Sequence, residues 1–105
     1  MKVYKIVVFV PVGNKEDLKE AMFNAGAGKI GSYDRCSFET VGTGQFRPLE
    51  GSNPHSGTRN KIEIVKEVRI EMVCEKKFLK QVINAIMTTH PYEMPAYNVT
   101  KCRKI

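Results

Sequence analysis

Side chains able to do chemistry are few in this chain and gather in three places. The first is His90-Pro91-Tyr92-Glu93, where an imidazole nitrogen and a carboxylate three positions apart offer two ligands to a divalent metal ion. Cys36 and His55 would have to join them through folding, or through a neighbouring subunit, to complete such a site. The same segment also has a purely structural reading. His90 ends a helical pattern, where a partly charged imidazole caps carbonyls and complements the helix dipole, and Tyr92 and Glu93 then fasten the turn that follows. The second place is Phe46-Arg47-Pro48. An aromatic face beside a guanidinium suits the phosphate or carboxylate of a small anionic ligand, although Phe46 could equally pack against a neighbouring subunit while Arg47 pairs with an acid. The third is Gly26-Ala-Gly28-Lys-Ile-Gly31, which spells G-x-G-x-x-G. Pyrophosphate binding needs a strand to deliver those glycines to the start of a helix; here a helical pattern precedes them and a strand pattern follows. They are expected to serve the backbone, with Gly26 ending the helix at positive φ and Gly28 and Gly31 turning the chain into the next strand.

Nothing assembles a nucleophilic catalyst, and no residue is assigned a catalytic role. Cys36, Cys74 and Cys102 are odd in number and widely spaced, which fits reduced, partly buried thiols better than a disulfide framework or a C-x-x-C pair. A net charge of +6 is spread among eleven acids. The densest basic group, Lys101, Arg103 and Lys104, reads as a solvated tail. Nucleic acid is a poor partner for a chain whose third strand carries alternating acids and lacks the Gly-aromatic-x-aromatic signature of RNA-binding sheets. With 105 residues, 42% of them hydrophobic, the chain suffices for one domain over residues 1–105 that folds without disulfide or metal. No apolar run reaches the ~20 residues of a membrane span, and the start of the chain lacks a cleavage-site pattern. The expected location is cytoplasmic.

These residues must be positioned by six elements. Residues 3–10 form a strand that is apolar on both parities, as in a sheet covered on both faces. Asn14 is the expected N-cap of a helix whose face is Leu18, Ala21, Met22 and Ala25 and which stops at Gly26. A strand is expected from Tyr33 to Val41, then a long irregular connection over residues 42–60, rich in Gly and Pro. Residues 61–74 alternate, with Ile62, Ile64, Val68, Ile70 and Met72 on one parity and Glu63, Glu67, Arg69 and Glu71 on the other. A second helix over about residues 75–89 ends before Pro91, and a last strand runs from Tyr97 to Cys102. The order β-α-β-β-α-β predicts an α+β ferredoxin-like sandwich, a four-stranded antiparallel sheet with both helices on one face. The doubly apolar first strand then predicts a second copy on the open face, hence a homo-oligomer.

Two stretches carry a family resemblance: Gly26 through Phe38 continued by Gly42-Thr-Gly44-Gln-Phe46-Arg47-Pro48, and His90-Pro91-Tyr92-Glu93-Met-Pro95-Ala-Tyr97. Together they resemble the domain inserted in the Nif-three-like dinuclear-metal proteins, which also occurs alone. The His-Pro-Tyr-Glu-x-Pro segment is similar to its counterpart in CutA, and the topology implies kinship with CutA and the PII signalling proteins. The resemblance implies a trimer and a ligand cleft between subunits. It also implies that the dinuclear-metal ligands belong to flanking domains, so the hydrolase-like chemistry suggested for the family transfers to no residue here. The function expected is a non-enzymatic, oligomeric, CutA/PII-like domain for binding a small ligand or metal ion, or for regulation or interaction. The alternative is an accessory or stand-alone metal-dependent hydrolase. The expected ligand contacts are Phe46, Arg47 and Tyr92, and the expected ligands of a divalent metal are His90, Glu93, Cys36 and His55.

Overall fold

The computed structural model describes residues 2–103; Lys104 of the basic tail lies outside them, and Lys101 and Arg103 are exposed. The elements are β1 (Lys2–Pro11), α1 (Lys15–Asn24), β2 (Phe38–Phe46), β3 (Glu63–Cys74), α2 (Lys76–Thr89) and β4 (Tyr97–Arg103), with a 3-10 turn over Val12–Asn14 before α1. The strands lie in the order β2-β3-β1-β4, and every neighbouring pair is antiparallel. This is the ferredoxin-like order that two split β-α-β units produce.

Register explains the core. Ile6, Val8 and Val10 of β1 stand opposite Met72, Ile70 and Val68 of β3, and all six point to the side that Leu18 and Met22 of α1 and Val82 and Ile86 of α2 cover. Full burial of each aliphatic side chain favours the fold by roughly 1.5–3 kcal/mol. The other parity of β1 is shielded differently. Val7 is only 8% exposed, because the Lys5–Glu71 ion pair, at 2.6 Å, and the Arg69 guanidinium over the Phe9 ring lay long stems across that face. A second copy is therefore not needed to bury Val7, contrary to the argument from strand polarity alone.

Helix ends differ in how they meet expectation. Gly26 adopts φ +119 and closes α1 with two bonds, Gly26 N–H to Phe23 O at 3.0 Å and Ala27 N–H to Met22 O at 3.1 Å, the paired pattern of a Schellman motif. Asn14 makes no side-chain cap; the 3-10 turn leads into the helix instead, with Glu16 and Asp17 in the first turn.

The larger correction concerns β2. Residues 33–36 do not pair as strand: Ile30 and Tyr33 close a tight turn on each other, and Gly28 donates to Val73 O at 2.8 Å. Pairing starts at Phe38 and continues through Gly42 and Gly44 to Phe46, against Glu71 back to Glu63. The glycines weaken strand propensity, but the ladder with β3 outweighs it. Because β1 pairs with β3 only as far as Glu67, residues 63–66 pair with β2 alone and the two strands project as an arm. The molecule measures 46 × 24 × 22 Å, and its radius of gyration is 14.6 Å against about 13 Å for a compact chain of this size. Ile62 and Ile64 share the parity of the core yet stay exposed, since neither helix reaches the arm.

Candidate binding cleft at Tyr92

The end of α2 creates the site. His90 must leave helical geometry before Pro91 and does so at φ −65, ψ 136. The extended turn sends Tyr92 toward the arm, where its hydroxyl donates to Glu67 Oε2 at 2.9 Å. Phe46 meets the Tyr92 ring edge to face at 5.8 Å, and the tilted His55 ring lies 6.1 Å from it. Glu93 Oε2 accepts the backbone N–H of Asn53 at 2.6 Å, strapping the loop after β2 over the turn. Between loop, arm and turn lies a cleft of about 260 Å³ whose walls include Phe46, Pro48, His55, Glu67, Tyr92 and Glu93.

Two groups here are electrostatically settled. His90 is 6% exposed; its Nδ1 accepts the Tyr92 N–H at 3.1 Å, so Nε2 carries the proton and donates to Phe9 O at 2.6 Å. Burial holds the imidazole below its ordinary pKa, against the smaller opposing pull of the Phe9 carbonyl. Burial first, and then the Glu67 hydrogen bond, push the Tyr92 phenol well above the usual tyrosine range. Gly44 makes the Glu67 position available, because a Cβ there would overlap the Glu67 carboxylate.

Sequence relatives bear on what this cleft belongs to. No family model matches the chain. It is 44% identical over 96 residues to the GTP cyclohydrolase 1 type 2 homolog of Halalkalibacterium halodurans and 45% identical over 95 residues to that of Bacillus subtilis, covering 91% and 90% of this chain. The solved Bacillus cereus protein related to NIF3 superposes on 98% of the chain with TM-score 0.84 and 42% identity. The chain is a NIF3-related domain. It spans only about a quarter of those proteins, 26% of each. CutA1 of Pyrococcus horikoshii matches 97% of the chain with TM-score 0.69 at 14% identity, over 85% of its own length, so the NIF3-related domain has the CutA/PII-like fold.

Of the residues singled out in the sequence, the NIF3-related domain brings Phe46, Tyr92, His55 and Glu93 to one cleft. Arg47 is exposed and is not part of its lining. His90 sits behind Tyr92, ring centroids 5.0 Å apart, with both nitrogens engaged by backbone groups. It ties α2 to β1 as a neutral ring and does not cap the helix as a charged one. Cys36 bonds to Gly28 near the start of β2, whereas Phe46 ends that nine-residue strand, about 26 Å away at strand rise. Among the described residues no three His, Cys, Asp or Glu side chains converge as metal ligands. Glu67 was absent from the expected set. Its signal was its place on the polar parity of β3, opposite the strand that carries Gly42 and Gly44.

Proposed function

We propose that this chain is a non-enzymatic, self-associating binding domain of the CutA/PII-like class that takes a small ligand in the Tyr92 cleft. The observation that carries the reading is the cleft itself, a recess with three rings in its walls whose polar groups are fixed before any ligand arrives. The neighbouring titratable groups are committed to structure: the Tyr92 hydroxyl to Glu67, and both His90 nitrogens to backbone. Neither is poised to carry a proton to or from a substrate near neutral pH. Self-association is supported by the edge strand β2, where Phe38 and Val41 are 68% and 56% exposed beside an unpaired row of backbone groups. The relatives named as GTP cyclohydrolase homologs match this chain over 26% of their length; in them the corresponding segment would be a binding module beside whatever activity the rest performs. A thermal-shift screen against metabolite-sized compounds tests the proposal. A saturable shift, growing with ligand concentration and without conversion of the compound, is the expected result; conversion by the isolated chain would refute it.

A further inference from the structure

The Tyr92 cleft carries one sign of charge. Glu67 and Glu93 line it and, among the described residues, no lysine or arginine does, although the chain as a whole has a net charge of +6. An acidic recess in a basic protein disfavours phosphates and carboxylates and draws in cations. Each carboxylate has one oxygen committed within the protein, Glu67 to the Tyr92 hydroxyl and Glu93 to the Asn53 N–H. Among the described residues the second oxygen of each accepts no protein hydrogen bond, that of Glu67 lying against Gly44, and each carboxylate keeps lone pairs free for N–H groups of a ligand. The walls supply the other half of the chemistry. Phe46, Tyr92 and His55 present rings, whose faces attract ammonium and guanidinium ions, and the apolar surface accepts a carbon body. A divalent metal fits this lining less well, because it requires several converging oxygen or nitrogen ligands.

We infer that the cleft binds a small organic cation, an ammonium or guanidinium group on a compact apolar body, with its N–H donors shared between Glu67 and Glu93 and its body against Phe46 and Tyr92. This rests on the cleft being the ligand site and names the ligand class for it. Glu67 is the specificity-determining residue, since the carboxylate that brings negative charge to the cleft wall is the one that fixes Tyr92.

The test is a titration of the ¹⁵N-labelled chain at low ionic strength with benzylammonium and phenylguanidinium chlorides, alongside benzyl alcohol and benzoate as neutral and anionic counterparts of similar size. Both cations should give saturable amide shifts centred on Phe46, Tyr92 and Glu93. Affinity should fall about tenfold in Glu67→Gln, the scale of one hydrogen bond to a charged group; the glutamine oxygen still accepts from Tyr92, so the cleft keeps its shape. Equal binding of benzyl alcohol or benzoate at the same amides, or unchanged cation affinity in Glu67→Gln, would overturn the ligand class while leaving the cleft a binding site. Cation-induced shifts centred elsewhere on the protein would overturn the inference as well. No saturable shift at the cleft with any of the four probes would overturn both the class and the proposed site.

Discussion

The ring of His90 donates from Nε2 to the carbonyl of Phe9 at 2.6 Å, joining the end of α2 to β1 across 81 positions of sequence. Its other nitrogen accepts the Tyr92 N–H, so the same ring orients the residue on which the cleft is built. His90→Ala would leave the Phe9 carbonyl and the Tyr92 N–H without these partners. It should lower stability by about 1–3 kcal/mol, the usual cost of stranding a buried polar group, as read from urea unfolding.

The same geometry sets a pH dependence. The folded state holds the His90 pKa below its ordinary 6.5, so folding prefers the neutral ring. The stabilisation is complete above the unfolded value and is lost as pH falls through the depressed folded value. Stability should therefore begin to decline below about pH 6.5, before the carboxylates Glu39 and Glu71, themselves lowered from 4.5 mainly by lysine partners, add their share at more acid pH. His90→Gln, which can still donate to Phe9, should flatten the mildly acid part of the curve measured by urea midpoints. An unchanged slope between pH 6.5 and 5 in that variant would count against a neutral His90.

Tyr92 should ionise above the usual tyrosine range. Its folded pKa is raised above 10.0, so its contribution to stability is present below the unfolded value and is lost as pH climbs through the folded one. An alkaline ultraviolet titration comparing wild type with Tyr92→Phe should show the Tyr92 phenol ionising above the usual range, and Glu67→Gln should move it earlier without returning it to normal, because burial is the larger cause. Gly44→Ala offers a second route, since the new methyl displaces the Glu67 carboxylate with little backbone strain, and should advance the same phenol.

The glycines of the G-x-G-x-x-G segment should separate by surroundings. A Cβ at Gly26 would lie 2.6 Å from the Phe78 ring, and one at Gly28 would come 2.9 Å from the Cys36 carbonyl oxygen, whereas Gly31 has no neighbour within 4 Å. All three have positive φ. Alanine at Gly31 should cost about 1–2 kcal/mol for the left-handed backbone alone, and alanine at Gly26 or Gly28 should cost more, since overpacking adds roughly 1–3 kcal/mol. Addition of NADH or ATP should stabilise none of these proteins if the glycines serve only the backbone.

Self-association through β2 predicts that light scattering at micromolar concentration reports an oligomer. Replacing Phe38 and Val41 together by lysine should yield a folded, smaller species, because both side chains are exposed within the single chain and the added charge opposes edge pairing. A wild-type monomer under these conditions would remove the self-association part of the proposal.

Local pattern was enough for the elements. The 3.6-residue spacing of Val82 and Ile86, the alternation of Val68, Ile70 and Met72, the stop at Gly26 and the break before Pro91 each act within a few residues, so they are visible in a linear reading. Their order then leaves few topologies, and the observed sheet is the economical one. The span of β2 was less legible, because Gly42 and Gly44 look like turn residues until β3 supplies a ladder opposite them.

The cleft was half visible. Phe46, His55, Tyr92 and Glu93 stood out by type, but their meeting depends on contacts among positions up to 47 apart in sequence. Only the folded chain could decide that Glu67 reaches Tyr92, that Arg47 stays outside the lining and that His90 turns inward as a neutral donor. Propensity, periodicity and capping arise from neighbours in sequence and are written there. Charge state, hydrogen-bond partner and cleft membership arise from desolvation and from atoms contributed by distant segments, which exist as an environment only once β2, β3 and the end of α2 have packed together.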